Sequence, residues 1–364
     1  MCLVAEKIFA TRHRRAIGHV IHVNGTRGKS AVTRLIAAGL SEGGIKTYCK
    51  TTGTLPMTID TKGNETEIKR LGKANISEQI KILKAAYKDG AEALVLECMA
   101  VDPELQHVCE HKILHSDIGV ITNARVDHVA EMGSTTAGVC EALSNTIPKC
   151  GITFTADKDQ FETIKFKAKS LRGTAVLADK CDFDASEFLF PENIALALAV
   201  CEYVGVDREL ALAGMRKVKP DPYEAKAYTL EGITFVNGMS ANDPVSTEMV
   251  YDRFKHLKTK DGKSVVVLNT RPDRGYRTGL MIDYIKKQSP DIVWLLGSGR
   301  RVASMRLRKC GFETREYAGA DKLPIESLPD GSLIFAIGNI ANEGIALMDI
   351  IESKGKEELS CTEK

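Results

Sequence analysis

The 364-residue chain lacks several features that would assign it to a specialised class of protein. No apolar run approaches the ~20 residues that a membrane-spanning helix requires. The ten cysteines include no C-x-x-C pair, so the sequence predicts neither a zinc site nor a disulfide framework. The formal net charge is only +2, which argues against a nucleic-acid-binding surface. These absences favour a cytoplasmic globular protein without nucleic acid among its partners.

One stretch near the N-terminus has the pattern of a phosphate-binding loop between a strand and a helix. Apolar β-branched residues lead to Asn24, residues 25–30 read Gly-Thr-Arg-Gly-Lys-Ser, and apolar residues at helical spacing follow. In such a loop the backbone N–H groups face the anion, Lys29 reaches the outer phosphates, and Ser30 Oγ can bind Mg²⁺. Val23 stands where the usual motif has its first glycine. A glycine turn with an exposed lysine is the alternative.

Side chains at the carboxyl ends of later strands are candidate metal ligands. Glu97 ends an apolar run, His128 follows another, and Thr52 lies in a hydroxyl-rich turn after a third. Because parallel strands end at one edge of a sheet, we expect these residues near the phosphate loop. With Ser30, they form a predicted Mg²⁺ site. A solvent-facing glutamate and a structural histidine are the alternatives.

Strands alternating with helices predict two α/β domains. Pro220 and Pro222 interrupt the pattern, and four further apolar runs separated by helical stretches follow them. We therefore expect a first domain over residues 1–220 with a mostly parallel sheet, and a second, doubly wound domain over residues 221–364. The polar segment 58–75 is expected to be an exposed loop.

Two polar loops and one basic cluster are further candidate binding sites. Arg271, Arg274 and Arg277 follow one strand of the second domain and indicate an anion site, with a solvated loop as the alternative. Another strand of that domain leads into the polar loop 237–243. The basic residues 12–15 are interpreted as a solvated turn, and contact with anionic lipid or a membrane partner is the alternative.

The order of these motifs resembles the Mur ligase superfamily, which includes the muramyl-peptide ligases and folylpolyglutamate synthetase. Within it, the likeness is strongest to poly-γ-glutamate synthases of the CapB/PgsB type. The phrases that carry it are NGTRGKSAVTRL, KTTGT, ECMAVDPE, FPENIALALAV, FVNGMSANDP, LNTRPDRGYRT and IGNIANEG, which cover nearly the whole chain in one order. The resemblance implies a Mur-ligase-like P-loop ATPase domain with a mostly parallel sheet and a smaller Rossmann-like α/β C-terminal domain.

The resemblance also implies roles for individual residues. The implied ATP-binding residues, with Asn193 near the adenine, are Asn24, Gly25, Thr26, Arg27, Gly28, Lys29, Ser30, Asn193, Arg271 and Asp273. The implied catalytic residues are Lys29, Glu97, His128 and Arg271. The implied substrate-binding residues are Asn123, Asn242, Asp243 and Arg274. No lysine stands at 141–143, where many Mur ligases carry a carbamylated lysine, and Lys226 stands where the family often has arginine.

The implied activity is that of an ATP-dependent amide ligase that polymerises glutamate through γ-carboxylate to α-amine bonds by way of an acyl phosphate. ATP and Mg²⁺ are the implied cofactors. The implied partners are glutamate, the growing poly-γ-glutamate and CapC/CapA-type membrane subunits at the inner face of the cell membrane, and a homo-oligomer is left open. The alternatives are a ligase for another amino acid or a folate-like acceptor, and an ATP-hydrolysing partner of a polymer-export complex.

Overall fold

The computed structural model describes residues 10–53, 55–70, 72, 75–184, 187–219, 223, 225–241 and 243–359. The chain divides into two compact units, of which the first comprises Met1–Ala185 and Phe190–Lys219. The second comprises Ser186–Leu189 and Pro220–Lys364. Each unit contains a mostly parallel sheet with intervening helices, so the predicted α/β class is confirmed. The predicted proline linker lies outside the described residues.

Strands and helices alternate along the first unit. Its described strands are β1 (His19–Asn24), β2 (Thr47–Lys50), β3 (Met57–Ile59), β4 (Glu65–Glu67), β5 (Ala93–Glu97), β6 (Ile118–Ile121), β7 (Ile152–Thr155) and β8 (Thr174–Leu177). Its described helices are α1 (residues 10–16), α2 (Lys29–Glu42), α3 (Glu78–Lys88), α4 (Pro103–Val108), α5 (Val129–Met132), α6 (Thr136–Leu143), α7 (Phe161–Ser170), α8 (Pro191–Val204) and α9 (Arg208–Arg216). A π-helical segment, Cys109–Leu114, continues α4.

The first sheet brings the ends of four parallel strands to one edge. Within the described residues its order is β4-β3-β2-β5-β1-β6-β7-β8. β1 is parallel to both β5 and β6, with Val23 opposite Glu97 on one side and Val120 on the other. β2 is parallel to β5. The carboxyl ends of β1, β2, β5 and β6 therefore lie together, as the predicted phosphate and metal sites require.

The segment 58–75 contains a short β-hairpin, β3 and β4, where an exposed loop was expected. The side chain of Asp60 accepts hydrogen bonds from the backbone N–H groups of Lys62 at 2.9 Å and Asn64 at 2.8 Å. Gly63 has a φ of +83° in the same turn. A carboxylate that binds its own turn can stabilise a hairpin of polar residues, which hydrophobic periodicity does not reveal.

The second unit repeats the alternation around its own sheet. Its described strands are β9 (Ala227–Leu230), β10 (Ile233–Asn237), β11 (Ser264–Thr270), β12 (Ile292–Gly297), β13 (Thr314–Glu316), β14 (Leu333–Gly338) and β15 (Lys356–Leu359). Its described helices are α10 (Pro244–Phe254), α11 (Gly275–Gln288), α12 (Arg300–Arg308) and α13 (Glu343–Lys354). The sheet order is β13-β12-β11-β14-β10-β9-β15, and β9 and β15 are its antiparallel strands among the described residues. The core includes the buried side chains of Phe235 and Trp294.

The basic residues 12–15 belong to helix α1, and the side chain of Arg14 contacts protein groups instead of forming part of a solvated turn. The Arg14 guanidinium donates to the carbonyl oxygens of Leu114 and His115, both at 2.9 Å, and lies 2.7 Å from a carboxylate oxygen of Asp117. Arg14 therefore anchors α1 to the segment that leads into β6. Across the residues that the structure describes, no helix is both long and apolar enough to cross a membrane.

The helix after the phosphate loop, α2, packs on the sheet and against α8 and α9. Val32, Ile36 and Leu40 are fully buried, which confirms the predicted apolar stripe. At the contact with α9, a Cβ atom added to Gly214 would lie only 2.5 Å from the carbonyl oxygen of Ala38. The two helices can approach this closely because glycine has no side chain.

A buried ion pair joins His22 of β1 to Glu110 of the π-helical segment. His22 Nδ1 is 2.9 Å from Glu110 Oε2, both side chains are at most 1% exposed, and Ser116 donates two hydrogen bonds to the same carboxylate. Burial by itself lowers the pKa of His22, but Cys98, Cys109 and the carboxylate outweigh it and raise that pKa well above 6.5. Burial raises the pKa of Glu110, but His22 and Ser116 bring it below 4.5. Both groups are therefore charged in the folded protein near neutral pH.

The close contact between α2 and α9 predicts that Gly214→Ala lowers the free energy of unfolding by about 1–3 kcal/mol, as overpacking does. Alanine ordinarily stabilises a helix by about 1 kcal/mol relative to glycine. A loss of stability in Gly214→Ala would therefore come from the steric clash. Gly279→Ala in α11 is the matched control, because an added Cβ there lies 3.4 Å from the Arg306 guanidinium, an ordinary contact. Urea unfolding measures both variants, and stabilisation of both would contradict the close approach.

The buried pair predicts that stability declines as the pH rises above about 6.5. A histidine whose folded pKa is raised adds stability that is complete below its unfolded pKa, near 6.5, and is lost as the pH rises through the folded value. Glu110, with a lowered pKa, adds stability that is lost only at acid pH. Breaking the pair with His22→Gln should cost about 3 kcal/mol near pH 6 and less near pH 9. A cost that does not vary with pH in urea unfolding would show that His22 is not charged.

Candidate functional site

The phosphate loop, residues 25–28, is enclosed by its neighbours at the carboxyl edge of the first sheet. Gly25 has a φ of +136° and Gly28 a φ of +79°, conformations that favour glycine. A Cβ atom on Gly25 would overlap Thr122 Oγ1, and one on Gly28 would lie 2.8 Å from Asn193 Oδ1. The loop therefore fits between the end of β6 and the first turn of α8 only because both positions lack a side chain.

Two asparagines hold the backbone of the loop. The side-chain oxygen of Asn24 accepts from the N–H of Gly25 at 2.8 Å, and its amide donates to Gln106 Oε1 at 3.0 Å. Asn123 bonds to both sides of Arg27, accepting from its N–H at 3.1 Å and donating to its carbonyl oxygen at 3.2 Å. The structure thus places these predicted ATP- and substrate-binding residues where they position the loop.

The segment from Asn123 to His128 continues this support. Thr26 Oγ1 donates to the carbonyl oxygen of Arg125 at 2.9 Å and accepts from its N–H at 3.0 Å. The Arg27 guanidinium lies 2.8 Å from an oxygen of Asp127. His128, with a φ of +47°, precedes α5. Asp127 therefore lies against the loop, bound to the loop arginine, and His128 follows it in the chain.

Lys29 bends back over the loop that precedes it. Its Nζ donates to the carbonyl oxygens of Gly25 at 2.7 Å and Thr26 at 3.4 Å. Burial lowers the pKa of Lys29, and the nearby carboxylate of Glu97 opposes that shift. Hydrogen bonds to anionic oxygens are stronger than those to neutral carbonyls, so a phosphate at the loop would compete effectively for this ammonium.

Three of the four predicted metal residues are joined by hydrogen bonds. The carboxylate oxygen Oε2 of Glu97 accepts from Ser30 Oγ at 2.8 Å and from the backbone N–H of Thr52 at 2.6 Å. Glu97 is only 3% exposed. Gly53, which follows Thr52, also lies close to Ser30: a Cβ atom added to this glycine would be 3.0 Å from Ser30 Oγ. A hydroxyl and a carboxylate thus meet directly beside the phosphate loop.

The hydroxyl of Ser30 and the carboxylate of Glu97 suit Mg²⁺, which needs few protein ligands, better than they suit a metal ion whose ligands all come from the protein. In the described ranges, no group of three or more histidine, cysteine, aspartate or glutamate side chains is arranged to hold a metal ion. Mg²⁺ in nucleotide sites takes one or two protein oxygens and completes its shell with water and phosphate, which Ser30 and Glu97 would allow. The ring of His128 lies 4.0 Å from a carboxylate oxygen of Glu131. Its metal role stays a prediction.

Two arginines of the loop that follows β11 lie beside one carboxylate. Arg271 donates two hydrogen bonds to Asp273, from Nε at 2.9 Å and from Nη2 at 2.6 Å. Arg274 Nε lies 3.8 Å from the same carboxylate. The hydrogen bond from Arg271 lowers the pKa of Asp273. The carboxylate fixes the orientation of Arg271 after β11 and leaves a cationic loop.

Asp243 acts as the N-cap of α10. Its Oδ1 accepts from the backbone N–H of Ser246 at 3.0 Å, and its Oδ2 accepts from the hydroxyl of that serine at 2.7 Å. These bonds satisfy a free donor of the first helical turn. The neighbouring Asn242, also predicted to bind substrate, lies outside the described residues.

Three polar residues that support the loop were not predicted from the sequence: Thr122, Gln106 and Thr146. Thr122 Oγ1 donates to the carbonyl oxygen of Arg27 at 2.5 Å, and its position at a strand end was an available signal. Gln106 and Thr146 contact Asn24 from 82 and 122 residues away, so no local pattern identifies them.

Comparison with known protein families gives two matches that together cover most of the chain. Residues 23–179 match the Mur ligase middle domain, and residues 223–354 match the poly-gamma-glutamate synthase CapB C-terminal domain. The capsule biosynthesis protein CapB of Bacillus anthracis is 34% identical, with 93% of this chain and 78% of that protein covered. The PGA synthase CapB of Bacillus subtilis is 38% identical, with coverages of 73% and 72%.

Solved structures share the fold at low sequence identity. A bifunctional folylpolyglutamate synthase/dihydrofolate synthase from Yersinia pestis, solved with AMPPNP and a manganese ion, has a TM-score of 0.70 at 13% identity, over 94% of this chain and 92% of that one. MurF from Acinetobacter baumannii has a TM-score of 0.67 at 15% identity, over 96% and 80%. These likenesses confirm the predicted Mur-ligase-like fold.

The enclosure of the loop predicts different costs for two glycine substitutions. Gly25→Ala should destabilise the protein more than Gly28→Ala, because its Cβ meets the backbone nitrogen of Thr122 as well as the side chain, whereas the atoms nearest to the Cβ of Gly28 belong to the side-chain amide of Asn193. Each also carries the cost of a left-handed alanine, about 1–2 kcal/mol. Adding Asn193→Ala should therefore recover part of the loss in Gly28→Ala and none in Gly25→Ala. Thermal unfolding of the single and double variants measures this, and equal recovery in both would be evidence against the arrangement.

Proposed function

Because this chain belongs to the CapB family of poly-γ-glutamate synthases, we propose that it joins the γ-carboxylate of one glutamate to the α-amine of the next. The predicted class, an ATP-dependent amide ligase of poly-γ-glutamate synthesis, is confirmed by this membership. The observation that carries the residue-level proposal is the meeting of Ser30 and Glu97 beside the phosphate loop. Residues 1–220 are proposed as the ATP-binding domain and residues 221–364 as the Rossmann-like domain.

The proposed reaction has two steps. In the first, an oxygen of the γ-carboxylate attacks the γ-phosphorus of ATP, the bond from that phosphorus to the bridging oxygen breaks, and ADP leaves. In the second, the amine attacks the acyl carbon, the bond to the phosphate oxygen breaks, and inorganic phosphate and the amine's proton are released. The first step gives the carboxylate a leaving group, which it otherwise lacks.

Phosphoryl transfer depends mainly on positioning and on neutralising charge. Lys29 is proposed to exchange its two loop carbonyl acceptors for oxygens of the β- and γ-phosphates. Gly25, Thr26 and Arg27 donate their N–H groups to Asn24 and Asn123, so the N–H groups proposed to hold the phosphates are those of Gly28 and the first turn of α2. A bound divalent cation would neutralise phosphate charge, and Ser30 and Glu97 are the residues proposed to hold it, with Thr52 fixing the carboxylate through its backbone N–H.

The remaining predicted residues of the first unit are proposed to act on the loop. Asn24 and Asn123 bind its backbone N–H groups, so that the loop keeps its shape and α2 its starting point when a phosphate arrives. Asn193 closes the side of the loop at Gly28, and its amide is also the group proposed to lie near the nucleotide base. His128 is proposed as a further metal-site residue, held close to the loop by its neighbour Asp127.

In the second unit, Arg271 and Asp273 are proposed to bind the nucleotide or the acyl phosphate. The support is chemical: a guanidinium already fixed in a bidentate pair has little conformational freedom to lose when it binds an anion. Arg274, Asp243 and Asn242 are proposed for the amino acid substrate. ATP and Mg²⁺ are the proposed cofactors, and CapC/CapA-type membrane subunits at the inner face of the cell membrane are the proposed partners.

The proposal predicts ADP release that depends on glutamate and on Lys29. Purified protein with ATP and Mg²⁺ should release ADP faster when glutamate or poly-γ-glutamate is added. Lys29→Ala should reduce that rate by about 100-fold or more, because a charge that stabilises the transferring phosphoryl group is lost. Lys62→Ala, in the exposed turn between β3 and β4, is the matched control and should leave the rate unchanged. A coupled assay for ADP measures all three proteins.

Other outcomes of this assay separate the alternatives. Stimulation by another amino acid or a folate in place of glutamate would indicate a different acceptor. ADP release that no acid stimulates would favour an ATP-hydrolysing partner of an export complex. Full activity of Lys29→Ala would contradict the proposed role of the phosphate loop. If activity appears only with membranes that contain the proposed partner subunits, the comparison of variants is made with those membranes present.

A further inference from the structure

A fully buried lysine lies one strand away from Glu97 and has no part in the reaction as described above. Lys50, the last residue of β2, is 0% exposed, and its Nζ lies 3.0 Å from Glu78 Oε1. Glu78 in turn accepts two hydrogen bonds from Arg70, from Nε at 2.8 Å and from Nη2 at 3.0 Å. A lysine, a glutamate and an arginine thus form one connected ionic group.

This group carries more positive than negative charge. Two cations share the single carboxylate of Glu78, so the three side chains together carry one net positive charge. Besides Glu78, the contact of the Lys50 ammonium within the described residues is the weak acceptor Met99 Sδ, at 3.7 Å. Arg70 Nη1 has no acceptor among the residues described, and its side chain is 22% exposed. The accessible arginine can therefore bind an external anion.

The position of this group relates it to the reacting edge of the sheet. In the sheet order β2-β5-β1, the strand that ends in Glu97 lies between Lys50 and the phosphate loop, and Lys50 pairs with Leu96. Two residues beyond Lys50, the N–H of Thr52 binds Glu97. Burial lowers the pKa of Lys50, and the charges of Glu78 and Glu97 oppose that shift. The excess positive charge therefore lies across β5 from the site proposed for phosphate.

Resting on the proposed ligase function, we infer that Arg70 binds a carboxylate of the glutamate chain, with Glu78 and Lys50 as positioning residues. Glu78 fixes the guanidinium by two parallel hydrogen bonds from Nε and Nη2, so that Nη1 and the remaining N–H of Nη2 point away from this carboxylate. Lys50 holds the other side of that glutamate and supplies the excess charge. A buried lysine costs free energy, and a wholly structural role for the pair could be filled by apolar residues. Carboxylates and phosphates share the chemistry that arginine binds, so the test must distinguish them.

A second arginine–glutamate pair in the same unit provides a matched control. Arg34 donates to Glu65 from both terminal nitrogens, at 3.2 and 3.1 Å, and its side chain is 13% exposed. The geometry is also bidentate, but one cation meets one carboxylate and no lysine is attached. Loss of Arg34 removes the same formal charge from the same unit without touching the Lys50 group.

The test measures equilibrium binding of a fluorescein-labelled γ-linked glutamate oligomer to the full chain by fluorescence anisotropy, without nucleotide. Arg70→Gln should weaken binding about tenfold, the typical loss of a hydrogen bond to a charged group. Lys50→Met should weaken it less, and Arg70→Lys should retain part of the affinity. Arg34→Gln should bind as the unchanged protein does. AMPPNP affinity, measured separately by calorimetry, should be the same in every variant, which a general loss of structure would not allow.

Several results of this binding measurement would overturn the inference. No saturable binding by the unchanged protein, or equal binding by Arg70→Gln, would remove the carboxylate site. Equal losses in Arg34→Gln and Arg70→Gln would indicate general charge attraction. Displacement of the oligomer by inorganic phosphate at lower concentration than by free glutamate would assign the site to phosphate. If Arg70→Gln does not fold, the affinities of Arg70→Lys and Lys50→Met for the oligomer decide whether the inference holds. The measurement needs no ATP turnover, so failure of the ligase assay leaves its result intact.

Discussion

The close fit of the glycine loop between two neighbours is the constraint on which the carboxyl edge of the first sheet depends. A Cβ atom added to Gly25 would overlap Thr122, and one added to Gly28 would lie 2.8 Å from the amide of Asn193. The first turn of α2 therefore begins at a fixed place, and it includes both Lys29 and Ser30. An anion that binds at the start of this helix meets donors that are already aligned, so the proposed phosphoryl transfer would require little reorganisation as charge shifts.

The parts of this arrangement that the sequence predicts are those determined by neighbouring residues. The strand before the loop, the two glycines and the apolar stripe of α2 are local, and the fold class follows from repeating such units. The supports of Asn24 are not local, because Gln106 and Thr146 reach it only through the path of the folded chain. The hairpin at 58–75 was missed for a different reason: Asp60 stabilises its turn by hydrogen bonds to the backbone, in a segment with no apolar period.

Two buried ionic groups lie in strands that end at this edge. His22 of β1 is paired with Glu110, and Lys50 of β2 is paired with Glu78. A buried charge without a partner costs several kcal/mol, and even a well-paired one adds little to stability compared with apolar packing. Stability therefore does not explain either pair. For Lys50, two cations share one carboxylate, and this excess of positive charge gives a chemical reason for the buried group. In the His22 pair, one cation meets one carboxylate, and Ser116 donates two further hydrogen bonds to that carboxylate.

An acid ligase has to bring two anions together, the phosphates of ATP and the carboxylate that attacks them. Their repulsion grows steeply as they approach in a site with little water. This sheet places positive charge on both sides of the strand that ends in Glu97, at Lys29 after β1 and at Lys50 in β2. If Arg70 binds the carboxylate as inferred, that anion and the phosphates each have their own counter-charge, and neither must be displaced for the other to bind. A single cluster of cations would instead let the phosphates, which carry more charge, exclude the carboxylate. Because one strand separates the two cations, the carboxylate and the phosphates can bind side by side, as the reaction requires.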